Sequence, residues 1–154
     1  SQHRAVLFLD PFGMQVRWEA VEAIARTKAI DLWYLFPIGI GVNRMLTSGH
    51  HPSEAFSDRL DVVLGTDVWR SAFYQSSRET GLFGDEHVVH KDTNFEHIKD
   101  FFLERLHRLF PGVADNPLIL RNSRNSPMYL LCFAAANEKG APVAVKIAQQ
   151  ILKE

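Results

Sequence analysis

The sequence predicts a doubly wound α/β fold, and three stretches near its start predict it. An unbroken apolar run, Ala5–Leu9, ends in Asp10-Pro11-Phe12-Gly13; a helical stretch follows at Trp18–Arg26; a second apolar run, Ile30–Phe36, is closed by Pro37. The first run has no alternating polar residue, so both of its faces are expected to be covered, as in a central parallel strand. In the helical stretch Trp18, Val21 and Ala25 share one stripe with Ile24 beside them. Strand, helix and strand within residues 4–36 make a βαβ unit, whose strands run parallel through a right-handed crossover. The loops after Leu9 and Phe36 then lie side by side at the edge where ligand sites of open α/β folds collect.

Beyond Gly39 the pattern is helical as far as Gly112. Phe56, Leu60, Val63 and Leu64 form a stripe ending at Gly65, a C′ glycine. Thr66 precedes a short helix carrying Trp69, Ala72 and Phe73. Residues 76–91 are polar and broken by glycine, which reads as a mobile loop. Thr93-x-x-Glu96 has the form of a capping box, before a helix bearing Phe95, Ile98, Phe102, Leu106 and Leu109. Residues 117–120 and 128–135 read as two strands around the polar turn 121–126, hence a hairpin. A last helix from Pro142 is expected to bury Val143, Ile147 and Ile151 with Ala144 and Ala148. The result is one domain over residues 1–154, with a helical insert at 39–112.

Composition limits the function. The chain is 46% hydrophobic and 23% charged, and 17 Lys+Arg against 18 Asp+Glu give a net charge of -1. That is the balance of a globular domain with a real core and no overall attraction for nucleic acid or acidic membranes. No apolar run reaches the ~20 residues of a membrane-crossing helix, and the start lacks the order of a signal peptide. The single cysteine, Cys132, lies in an apolar run and reads as a small buried hydrophobe, which fits a reducing cytoplasm and removes disulfides and cysteine metal sites.

Asp10-Pro11-Phe12-Gly13 is the chemical candidate. A strand-end carboxylate and an aromatic ring, steadied by the fixed proline φ, can hold a planar substrate; the plainer reading has Asp10 capping the next turn and Phe12 packing on the sheet. Gly39-Ile-Gly41 has two of the three glycines of a dinucleotide fingerprint and reads better as a tight strand-to-helix turn. It brings Asn43 and Arg44 beside Asp10, where Arg44 would pair with Asp10, bind an anionic group, or simply be solvated. His50-His51 and His87-x-x-His90 lack a metal-ligand pattern. There is no GxSxG elbow for a nucleophilic serine. Arg124 in the polar turn, with Lys99, Arg105 and Arg108, forms either a basic patch or an ordinary solvated surface.

Phe8-Leu9-Asp10-Pro11-Phe12-Gly13, the Trp18–Arg26 stretch, Phe36 through Asn43-Arg44, Trp69, Leu82-Phe83-Gly84, Leu120-Arg-Asn-Ser-Arg-Asn125 and Met128-Tyr-Leu-Leu131 together resemble the three-Cys-motif partner (TcmP) family across residues 8–151. That family is similar to class I methyltransferases, which use S-adenosylmethionine on a seven-stranded sheet whose last two strands form a hairpin inserted antiparallel. The resemblance implies that residues 4–9 are the fourth strand, Ile30–Phe36 the fifth and the hairpin the last two. It makes Asp10-Pro11-Phe12 similar to the acid-Pro-Pro-aromatic motif of amino-methyltransferases, with Pro-Phe-Gly standing for Pro-Pro-Tyr or Pro-Pro-Phe. Asp10 and Phe12 would then be the catalytic residues, Asn43 and Arg44 would bind substrate, and Asp10 and Pro11 would form the cofactor edge. The implied partners are a three-cysteine-motif protein and a nucleic-acid substrate.

The glycine-rich turn and the ribose-binding acid of the cofactor-binding half are absent from this sequence. The expectation is therefore the later half of a methyltransferase-like protein, inactive and without tight S-adenosylmethionine binding when alone. An interaction module for nucleic acid or protein is the alternative, and a glycine-rich βα turn upstream would separate the two. A central strand left as an edge is an association hazard, so residues 4–9 are expected to pair antiparallel with a second copy, giving a homodimer sensitive to Val6→Lys or Phe8→Lys.

Overall fold

The computed structural model describes residues 3–12, 14–81 and 84–153. A mixed sheet is its centre. β1 (Ala5–Leu9) pairs parallel with β2 (Ile30–Phe36), in register from Ala5 against Ile30 to Leu9 against Tyr34. α1 (Trp18–Arg26) connects them, so the βαβ unit is present as expected. β2 is followed by a π-helical turn, Ile38–Asn43, and then by α2 (Glu54–Leu64) and α3 (Trp69–Phe73). α2 ends at Gly65 in the left-handed region, φ 66°.

Next comes an arm that the sequence hides. β3 (Tyr74–Gly81) and β4 (Gly84–Lys91) form an antiparallel pair separate from the main sheet. The expected loop at 76–91 is thus corrected to a hairpin, and the insert at 39–112 is only partly helical. Polar residues on both faces of the arm conceal it, because alternation is visible only where one face is buried. Leu82, Phe83 and Gly13 lie outside the described residues.

α4 (Phe95–His107) leads to β5 (Gly112–Val113), β6 (Leu118–Arg121), β7 (Pro127–Ala135) and α5 (Ala141–Ile151). The cap of α4 is Asn94, whose Oδ1 accepts the His97 N–H at 2.9 Å, and not the expected Thr93. β6 and β7 form the expected hairpin, with β7 antiparallel to β2 on its other side. β5 pairs with the far end of β7. The sheet order is β1-β2-β7, with β5 and β6 sharing the outer edge of β7.

Two layers cover the sheet. On one face Leu32, Tyr34 and Phe36 meet α1, α2 and α4, and Phe102 is the hub. Its ring stacks on Phe36 at 3.6 Å and meets Tyr34 and Trp18 edge-on. On the other face α5 lies over β7 and β5, packing Ala141, Ala148 and Leu152 against Phe133 and Ala135. The expected burial of Val143, Ile147 and Ile151 is corrected: they are 65%, 54% and 57% exposed. The sheet takes the alanines of α5 because the approach is close. A Cβ on Gly112 would stand 2.8 Å from the Ala141 Cβ, leaving no room for larger side chains between them. β1 also departs from expectation: Leu7 and Leu9 pack on the first core, but Val6 and Phe8 are 68% and 58% exposed, so only one of its faces is covered. Among the described residues no helix is long and apolar enough to cross a membrane.

Candidate functional site

Because β1 and β2 are parallel, their carboxyl ends open on the same side of the sheet, and the segments that follow them meet there. The contact is tight. A Cβ on Gly41 would fall 2.2 Å from the Met14 sulfur, and one on Gly39 would fall 1.9 Å from the Pro127 carbonyl oxygen. Gly39 is needed for this approach, because the atom it faces is backbone and fastens the turn to the start of β7, whereas Gly41 seats the flexible Met14 side chain of the loop after β1. The turn itself is wide. The N–H groups of Gly41 and Val42 both donate to the Pro37 oxygen at 3.1 Å, a π-type arrangement that recurs at functional sites. Arg59 of α2 adds a tie by donating to the Met14 oxygen at 3.4 Å.

On this shelf Pro11 is buried, Asp10 is exposed and Phe12 is 87% exposed. The plain reading of Phe12 as packed on the sheet therefore fails: proline anchors the loop and the ring stands in solvent. Asn43 is half-buried, and its Oδ1 accepts from Lys91 Nζ at 3.0 Å. Lys91 also donates to the Leu46 oxygen at 3.1 Å. Two neutral oxygens hold this ammonium, and burial lowers its pKa from the ordinary lysine value. The same two bonds join the β3–β4 arm to the shelf. A second join lies next to it, where the Tyr74 hydroxyl donates to the Thr47 oxygen at 2.9 Å and His51 packs on the Tyr74 ring.

Arg44 is exposed, and among the described residues no ion pair joins it to Asp10. A pair between two hydrated side chains is worth only ~0–1 kcal/mol, too little to hold them together. The basic residues of α4 are spent on the fold. Lys99 pairs with Glu96 and Asp100, and Arg108 with Glu104. Arg105 donates to the last carbonyls of α2, at Leu64 and Gly65, and lies over the Trp18 ring. A groove of about 310 Å³ between Thr66 and Arg108 is bordered by Asp100, Glu104, Arg105 and Arg108 of this set.

No family model, curated protein or solved structure matches this chain. The approach of Met14 to Gly41 joins the loop that carries Asp10, Pro11 and Phe12 to the turn that carries Asn43, with Arg44 next in the chain and exposed. Lys91 is the member that sequence reasoning missed, because it lies at the end of a stretch read as loop. Its signal was weak: the Val88-Val89 pair and the two glycines bracketing Leu82-Phe83 are the only strand and turn marks in that stretch. Among the described residues no group of three His, Cys, Asp or Glu side chains is placed to hold a metal ion.

Proposed function

We infer that this chain supplies the acceptor-orienting half of an S-adenosylmethionine-dependent methyltransferase. The observation that carries the reading is the strand order. Two parallel strands, then a late strand inserted antiparallel, then its hairpin partner outermost, is the order expected for the second half of such a sheet, and the acid-Pro-aromatic segment follows the first of these strands. Asp10 would accept a hydrogen bond from the acceptor amine and fix its direction, Phe12 would stack on a planar acceptor, and Asn43 and Arg44 would hold the rest of a nucleic-acid substrate. Lys91 sets the position of Asn43.

The cofactor itself does not fit here. The two glycines of the Ile38–Asn43 turn are filled by Met14 and by the Pro127 carbonyl, so their backbone offers no cradle. Only Asp10 and Pro11 remain as a cofactor edge, and the rest of that site belongs on a glycine-rich half beyond β1, with a three-cysteine-motif protein as the further partner. The test is transfer of a labelled methyl group to nucleic acid in a preparation containing such a half. Asp10→Ala is expected to lower turnover by roughly 10²-fold, the usual loss for a positioned catalytic group; equal turnover in the folded variant removes the reading. The β3–β4 arm, which stands apart from the main sheet, favours an interaction module as the second reading. Nucleic-acid binding that needs the arm and ignores Asp10→Ala would support that instead.

A further inference from the structure

The second face of the sheet is half covered. α5 lies over β7 and β5, and among the described residues no helix covers the strip over β1, where Val6 and Phe8 are exposed. Phe8 and Trp33 are register partners and share this face, with Val6 one pleat away. Trp33 belongs to the α5 cluster and its ring lies 4.9 Å from that of Phe133, so the strip adjoins the helix directly. Val145 faces Gly112 of β5. By helical spacing, Val143, Ile147 and Ile151 therefore occupy the flank of α5 turned away from β5. The start of α5 is near β1, because Arg4 Nη1 lies 3.3 Å from a Cβ placed on Gly140. An apolar ridge thus lies beside a trench that is apolar but for Asp31, whose Oδ1 accepts the Ala136 N–H at 2.9 Å.

We propose that a second copy of this chain covers this face, the α5 ridge of each copy lying in the β1–β2 trench of the other about a two-fold axis. A surface carrying both a ridge and a trench is self-complementary, which is what an isologous dimer requires. The exposed parts of Val6, Phe8, Val143, Ile147 and Ile151 would remove about 1,000 Å² from the two chains together, the lower bound for a specific interface, before any backbone or rim is counted. The net charge of -1 sets little repulsion against the pairing.

Antiparallel pairing of two β1 edges is the competing geometry, and spacing decides against it. With strands ~4.8 Å apart, edge pairing would leave the two α5 helices roughly 24 Å from each other, beyond the 8–10 Å of a helix contact. Both ridges and both trenches would stay in water. The face-to-face pairing buries them and leaves the β1 edge free for a further strand.

Analytical ultracentrifugation of the whole chain tests this. A dimer is expected, with the dissociation constant raised roughly 100-fold or more by Ile147→Glu, and likewise by Phe8→Glu, through a charge buried without a partner. Both positions are more than half exposed in the single chain, so an unchanged circular dichroism spectrum is expected and separates lost association from lost folding. The double variant Phe8→Cys, Ile147→Cys should form an intermolecular disulfide between position 8 of one copy and position 147 of the other. A monomer at high micromolar concentration overturns the proposal. So does a dimer untouched by Ile147→Glu but lost in Val6→Lys, which would mean edge pairing.

Discussion

At the scale of single residues, Asp61 has the most closely defined surroundings. Arg70 donates to both of its oxygens, at 2.6 and 2.9 Å, and Trp69 Nε1 donates at 2.7 Å. The Arg70 hydrogen bond is the chief cause holding its carboxyl below the ordinary 3.8, with the Trp69 bond adding to it and burial opposing. A folded pKa below the unfolded one means stability that is present above the unfolded value and lost as pH falls through the folded value. Asp61→Asn is expected to cost about 1–2 kcal/mol at pH 7, a range already reduced for the water that reaches both side chains. That difference should shrink as pH drops below 3.8. Urea unfolding of both proteins at neutral and acid pH checks it. No sequence motif marks this triad, since its partners meet only when α2 and α3 fold against each other. The segments Asp10 to Phe12 and Ile38 to Asn43 were legible as the ones that follow two parallel strands.

At the scale of elements, the cap of α4 gives a direct comparison between neighbours. Asn94→Ala should cost about 1 kcal/mol, and Thr93→Ala much less, because only Asn94 satisfies the His97 N–H. Thermal unfolding of the two variants decides it. The capping-box pattern misplaced the cap by one residue because Glu96 pairs with Lys99 and is not placed as the reciprocal partner of Thr93. α1, β2 and the β6–β7 hairpin could be read because each buries one regular stripe or lies in an apolar run. α5 misled for a physical reason. Its larger side chains look like the buried face, but the approach of the helix to β5 and β7 admits alanine, so the ridge is left outside. The arm could not be read from hydrophobic alternation, since it meets the main core through Tyr74 and Val89 near its base while the rest of its sequence is mostly polar.

At the scale of the molecule, the missing cradle makes the simplest prediction. Calorimetric titration of this chain with S-adenosylmethionine should show no micromolar binding, since among the described residues no helix N-terminus follows a glycine-rich turn; tight binding would show that the Asp10–Pro11 edge is a complete site. The layer arrangement was legible as a βαβ unit plus hairpin, whereas the half-covered second face was not. Periodicity reports which side of an element is apolar and is silent on whether a neighbour arrives to cover it.

The position of β7 has a consequence for how the chain acquires its structure. This strand is inner in the sheet, yet in the chain it follows every strand that it pairs with, and it must insert between β2 and the β5–β6 edge. Until Pro127 and the residues after it are in place, β2 has only β1 beside it and the turn at Gly39 has nothing to close against. Sheet closure is therefore a long-range step with a high loop-closure cost, and until it is made β2 keeps an apolar edge open to other chains.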